Sequence, residues 1–350
     1  MKIMKITKDD FEWAVSKGLL SSQQADALWT ALESRTGFSV ANVAYYFGAL
    51  VVISAMGWFM TEAWERFGGG GIFAIALGYA VIFVMAGRHL WGTVGLKIPG
   101  GLLFTLAVWM TPLAIYGLER LTDIWPQGAP GSFQSYHIWV KGSWVLMETG
   151  TIIAGLVALR FVRFPFLTFP IAFSLWYMSM DLTPLLVGGS DFSGDFTWNE
   201  RLWVSFSFGL VILLLSYLVD RRTKEDFAFW GYLFGTLAFW GGLSLMESSS
   251  ELNKFLYCLI NVGLIFLSVF LDRRVFVVFG SLGVFGYLGH LSYTVFKDSL
   301  MFPFVLSLFG ILVIYLGIQY QRHREGIEHF LLGLVPETVR KFSPRERVVR

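Results

Sequence analysis

Apolar residues come in runs of about twenty, separated by short polar stretches, along most of the chain. The runs fall at roughly 42–60, 70–87, 98–118, 142–160, 164–182, 202–219, 227–246, 253–271, 275–296 and 301–320. A helix needs roughly 20 apolar residues to cross about 30 Å of hydrocarbon, and it satisfies its own backbone while doing so. The pattern predicts an all-α, polytopic integral membrane bundle of about ten transmembrane helices. Three regions follow. Residues 1–40 form a short helical hairpin, 41–321 the transmembrane domain, and 322–350 an amphipathic and basic tail.

Basic residues sort to alternate loops. One side collects Lys2, Lys5, Lys8, Lys17 and Arg35, then Arg88, Lys97, Arg160, Arg163, Arg221, Arg222, Lys224, Arg273 and Arg274, and seven more from Arg322 to Arg350. The other side holds only Arg66, Arg120, Lys141, Arg201, Lys254 and Lys297. Lys and Arg are retained in the cytoplasm, so both termini are expected there and the number of spans is expected to be even. The two longest outer loops, about 119–141 and 182–201, are rich in Gly, Pro, Trp and acids, as solvated caps at an interface are.

The polar ends carry their own pattern. Thr7 is placed to cap a first helix, with Phe11, Ala14 and Val15 at helical spacing, and Gly18 supplies a stop. Ser21 and Gln24 stand three apart as a capping box, and Ala25, Leu28, Trp29 and Leu32 follow as an apolar stripe. Two helices this short cannot build a core alone and must pack on the membrane domain, on lipid or on a partner. In the tail, Ile327, Phe330, Leu331 and Leu334 share a helical face before Pro336 and a basic cluster. Such a segment lies in the interface and draws anionic lipid.

The stretch SKGLLSSQQADAL, followed by the first span VAYYFGALVVISAMGW, resembles the start of a bacterial family of multi-pass membrane proteins, domain of unknown function 2157. The likeness covers the hairpin and the first few spans. It implies a place in the bacterial cytoplasmic (inner) membrane. No activity is assigned to that family, so the resemblance implies no catalytic residue and no cofactor.

Composition narrows the function classes. Only 15% of residues are charged and 55% are hydrophobic, against about 25% charged in a soluble domain. The first 40 residues hold no short apolar stretch ending in a cleavage site, so the first span is expected to direct insertion. Cys258, the single cysteine, lies inside an apolar run, which excludes an intrachain disulfide. The spans lack HExxH, GxSxG and paired aspartates, and no metal, nucleotide or nucleic-acid motif is present. The sequence therefore gives no catalytic, cofactor-binding or metal residue, and an enzyme is the least favoured class.

Polar residues inside the spans offer the best lead. Glu148, Asn261 and His290 each lie seven residues inward from an outer lysine (Lys141, Lys254 and Lys297), at a common depth of about 10 Å. An acid or imidazole facing lipid costs several kcal/mol, so these side chains should point into the bundle. Glu119 and Asp181 stand at outer helix ends nearby, and Thr111-Pro112 breaks the third span by removing a backbone donor. Glycines at 280, 283, 286 and 289 let another helix approach. These residues point to a transporter-like protein that handles a small ligand or proton in a polar pocket in the outer half of the bilayer. The alternative is a structural or accessory subunit of a larger membrane protein assembly, with a protein partner docking at the termini, whereas a homo-oligomer would fit the transporter-like reading. Asp220-Arg221-Arg222 and Asp272-Arg273-Arg274 each close a span and hint at an internal repeat.

Overall fold

The computed structural model describes residues 8–33, 40–124, 143–181, 198–223, 225–246, 250–296 and 302–322. Among these residues the protein is helical and has no strand. Thr7, the outer-loop centres, Lys297 and the tail beyond Arg322 lie outside them. The chain divides into two compact units, Met1–Met56 and Gly57–Arg350.

In the first unit, α1 (Lys8–Ser16) and α2 (Ser22–Glu33) pack as a hairpin, and α3 (Val40–Arg66) begins. Gly18 has φ +70°, and the Leu19 amide donates back to the Ala14 carbonyl at 3.0 Å. That left-handed residue ends α1 at little steric cost. The Ser21 amide donates to Gln24 Oε1 at 3.1 Å, and the Gln24 amide donates to Ser21 Oγ at 3.2 Å. Both halves of the predicted capping box are therefore made. Ala25 is buried, whereas Trp13, Leu19 and Leu28 are exposed.

The second unit contains α4 (Gly68–Arg88, extended by a π turn over His89–Val94), α5 (Lys97–Trp109), α6 (Thr111–Leu121), α7 (Ser143–Phe161) and α8 (Thr168–Asp181). It continues through α9 (Trp198–Arg222), α10 (Phe229–Leu245), α11 (Glu251–Leu271), α12 (Arg274–Phe296) and α13 (Phe302–Arg322). α5 and α6 meet at Met110, because Pro112 has no N–H to give to the carbonyl four residues back. α4 packs on α5 and α6, and α7 packs on α6 and α8. α8 in turn packs on α9 and α10, which joins this group to α9–α12.

Among the described residues, six helices are long and apolar enough to cross a membrane. They are Gly68–Val94, Lys97–Leu121, Trp144–Phe161, Asn199–Arg222, Glu251–Leu271 and Arg274–Thr294. Every apolar run in the sequence coincides with helix, yet not every one is a full span by this measure. The 14 residues of α8 reach about 21 Å at 1.5 Å per residue. The 17-residue α10 is buried by protein instead of facing outward: Tyr232, Gly235, Thr236 and Ala238 are all enclosed. By contrast, α4 and α11 expose Leu77, Ile82, Met85, Leu252, Leu259 and Phe266. Apolar side chains left outside in this number are what a lipid-facing surface requires.

Aromatic packing sets the direction of the helices. Phe169 lies 4.7 Å from Trp230 and Phe173 lies 5.6 Å from Phe234, so α8 and α10 run parallel from a common end. At that end Trp91 meets Phe164 at 6.2 Å and Phe166 meets Trp230 at 5.3 Å. Arg273 Nη2 donates to Asp220 Oδ1 at 2.6 Å, and its Nη1 donates to Asp226 Oδ1 at 2.6 Å. These contacts tie four interhelical turns together. They bring Arg88, Lys97, Arg160, Arg163, Arg221, Arg222, Arg273 and Arg274 to one basic end of the second unit. Burial works against the charge on Arg273, but its hydrogen bond to Asp220 and the fields of Asp226 and Asp220 outweigh that and raise its pKa. Asp220 and Asp272 occupy matching sequence positions but do different jobs. Asp220 accepts from Arg273, whereas Asp272 ends α11 at φ +55°. The local likeness of the two triplets therefore does not extend to their geometry.

Candidate functional site

The register of α11 against α12 organises the polar residues at the end opposite the basic turns. These two helices are antiparallel and closely packed. Gly283 faces the Asn261 side chain so closely that a methyl group there would collide with the amide. At Gly280 a methyl would lie 2.6 Å from the Asn261 carbonyl oxygen. Asn261 is fully buried. Its Oδ1 accepts from Trp240 Nε1 at 3.0 Å, and its Nδ2 donates to the Tyr257 carbonyl at 2.8 Å. One amide thus joins α10 to α11 and fills the notch that glycine leaves in α12.

Seven residues toward the helix ends, the same register places His290 beside Lys254. Lys254 Nζ lies 3.1 Å from His290 Nε2 and 2.7 Å from Glu251 Oε1. An ammonium has only donors, so Nε2 is the acceptor in this contact. Glu251 Oε1 is 3.6 Å from Nε2, and Thr294 Oγ1 is 3.4 Å from it. His290 is 36% exposed at its side chain and Lys254 27%, so the pair is reachable from outside.

The pair lines a cavity of about 760 Å³. Asn199 and Trp203 of α9, Ser244 near the end of α10, and Tyr257 and Tyr287 complete much of its wall. Ser244 Oγ and Tyr257 OH are 2.9 Å apart. A cation, an imidazole and a hydroxyl pair therefore converge on one hollow among apolar walls, the arrangement that fixes a small ligand. Gly286 also lines it, with nothing within 4 Å of where its Cβ would be.

The shared depth expected of Glu148, Asn261 and His290 differs in the structure. α12 runs six residues past His290 to Phe296, whereas α11 begins only three residues before Lys254. The two outer lysines are therefore poor markers of a common level. Asn261 lies about 10 Å deeper than His290, at 1.5 Å for each of seven residues. Glu148 is buried on α7, whose main packing partners are α5, α6 and α8, not α11 or α12. Glu119 is buried near the end of α6, and among the described residues neither of its carboxylate oxygens has a hydrogen-bond partner. Ile115 packs on Gly150 where α6 meets α7, four residues from Glu119 and two from Glu148. Asp181 is the last residue of α8, and its side chain lies outside the described set. The structure thus joins Asn261 and His290 to one helix pair and puts the two glutamates on another.

Sequence reasoning passed over Lys254, Glu251, Ser244 and Tyr257 as site residues. The Glu251–Lys254 spacing of three was a readable signal, since such residues face each other on a helix. Ser244 and Tyr257 carried none, because their meeting depends on how α10 packs beside α11. Among the described residues, no group of three His, Cys, Asp or Glu side chains could hold a metal ion. No known protein family, curated protein or solved structure matches the chain.

Proposed function

We propose that this chain is a ten-span protein of the bacterial inner membrane, with both termini in the cytoplasm, that admits a small polar ligand or a proton at the Lys254–His290 cavity. The observation that carries this reading is the 3.1 Å contact between the lysine ammonium and the imidazole on the wall of a 760 Å³ hollow. The grouping of basic turns at the other end supports the orientation, which would leave the cavity facing outward. Protonation of Nε2 would remove the acceptor that Lys254 uses. The new N–H would then find Glu251 Oε1, already 3.6 Å away. Proton arrival would therefore exchange one ion contact for another at the cavity wall, which is a local charge event of the kind that drives a conformational switch.

Proteoliposomes loaded with a pH-sensitive dye test this. After an outward acid step, wild-type vesicles should acidify faster than protein-free vesicles, and His290→Ala vesicles should match the protein-free rate. Equal rates for wild type and His290→Ala, at equal reconstitution, would remove the proton role.

The exposed Trp13 and Leu19 of the N-terminal hairpin favour a second reading, an accessory subunit of a membrane assembly. Native mass spectrometry after gentle extraction decides it. A second protein at fixed stoichiometry supports the subunit, and a lone chain or homo-oligomer counts against it.

A further inference from the structure

A second cavity, of about 730 Å³, opens at the basic end between α7, α8 and α9. Its walls are apolar: Leu156, Ile171, Leu175, Ile212, Leu215 and Val219 line it. Arg163, just past α7, and Arg222, at the end of α9, stand at its rim with Thr168, Thr223 and Glu225. Both guanidiniums are exposed, and among the described residues neither forms an ion pair. The hydroxyls of Thr168 and Thr223 donate to backbone carbonyls, of Pro165 at 2.7 Å and Val219 at 2.9 Å. Their oxygens are therefore left as acceptors, and the arginines are the strong donors at the rim.

This combination has a direction. The apolar wall climbs the membrane-spanning faces of three helices, and the cations lie only where those helices end. An occupant must therefore be long and apolar at one end and anionic at the other. A soluble metabolite would leave the wall unmatched, and a zwitterionic lipid would bring its own ammonium alongside the two guanidiniums that its phosphate has to meet. We propose that the groove holds an acyl chain of an anionic phospholipid, with the phosphate between Arg163 and Arg222. Arginine forks match phosphate oxygens in pairs of hydrogen bonds, and guanidinium is weakly hydrated, so both suit a headgroup at the interface. This site differs from the general attraction of basic residues to an anionic leaflet, because it needs the groove as well as the charge. It is also independent of the Lys254–His290 cavity at the other end.

The test uses the full-length protein, delipidated in detergent and titrated with phosphatidylglycerol or phosphatidylcholine of the same chain length under native mass spectrometry. Wild type should take one phosphatidylglycerol at about tenfold lower lipid than phosphatidylcholine. The Arg163→Ala/Arg222→Ala double variant should lose that preference. Arg160→Ala/Arg274→Ala removes the same charge from the same end outside the groove and should keep it. Leu215→Trp fills the groove with both arginines intact and should cut phosphatidylglycerol binding. Equal losses in the two arginine pairs would show diffuse surface attraction and overturn the proposal. Undiminished binding by Leu215→Trp would also overturn it, by showing a phosphate contact that needs no acyl groove.

Discussion

Asn261 and His290 sit on neighbouring helices two turns apart, and their surroundings could hardly differ more. Asn261 is sealed among α10, α11 and α12, with oxygen and nitrogen both engaged and glycine pressed against it. His290 is partly open and bonded to a lysine that itself is shared with Glu251, and it faces a large hollow. A buried amide in a bundle of helices long and apolar enough to cross a membrane acts as a clasp, because every polar atom it leaves unmet is costly. An imidazole at a cavity wall can change its proton and its partner without dismantling the helix pair. The same kind of sequence signal, a polar residue inside an apolar run, thus marks a structural part in one place and a responsive part in the other.

The strongest way to break this contrast is at Gly283. A methyl there meets Oδ1, Cγ and Nδ2 of Asn261, and the amide cannot retreat without losing Trp240 or the Tyr257 carbonyl. Overpacking and a lost buried hydrogen bond together should cost about 4 kcal/mol for Gly283→Ala. The readout is the midpoint of unfolding in a detergent titration. Gly283→Ala combined with Asn261→Ala should recover part of that loss, because the collision disappears. A double variant no better than Gly283→Ala alone would mean that the notch serves something other than the amide.

Arg273 comes next. It is 18% exposed at its side chain and holds Asp220, which is 8% exposed, together with Asp226. Arg273→Ala leaves a buried carboxylate without its cation and should cost about 3 kcal/mol in the same assay. It should also loosen the joint between the α9–α10 and α11–α12 turns, which hydrogen exchange at those turns would report as faster exchange. Asn261→Leu follows at about 2 kcal/mol, since Trp240 Nε1 is left buried without an acceptor. His290→Ala, by comparison, should move the midpoint by less than about 0.5 kcal/mol, as a partly exposed side chain away from the core usually does. If Asn261→Leu and His290→Ala shift stability equally, the distinction between clasp and responsive site fails.

Much of this was legible before any coordinates. Each described apolar run was legible as helix, though not which runs are long enough to cross a membrane; Ser21 and Gln24 marked a cap that forms, and the basic residues marked an end at which four turns converge. The polar residues inside the apolar runs were legible as candidates, and Asn261, His290, Glu148 and Glu119 all stand on helices, Asn261 in mid-helix and Glu119 near a helix end. Their grouping was not. Depth was counted from the nearest lysine, but helices overshoot one another, and only packing fixes how far α12 extends beyond α11. Which helices touch was equally hidden, because an apolar run looks the same whether lipid or another helix covers it. α10 reads like any span, yet it is walled in by α8, α9 and α12. The Ser244–Tyr257 pair, and with it the cavity, exists only because of that burial.

The smallest expected effect on stability is also the sharpest test of the open site. Lys254 bonds Glu251 at a surface where Glu251 is 64% exposed, and solvent screens such a pair so that it adds little to stability. Lys254→Met keeps the side-chain length and should leave the unfolding midpoint within about 0.5 kcal/mol of wild type. It removes the donor that, among the described residues, lies within hydrogen-bonding distance of both His290 and Glu251, so the exchange of partners described above can no longer occur. Proton entry into proteoliposomes should therefore fall as far as it does for His290→Ala. Residues that act as one unit are not additive, so the double variant should be no slower than either single variant. A double variant slower than both would mean that lysine and histidine serve the cavity separately, with the ammonium acting as a fixed charge and the imidazole as an independent proton site.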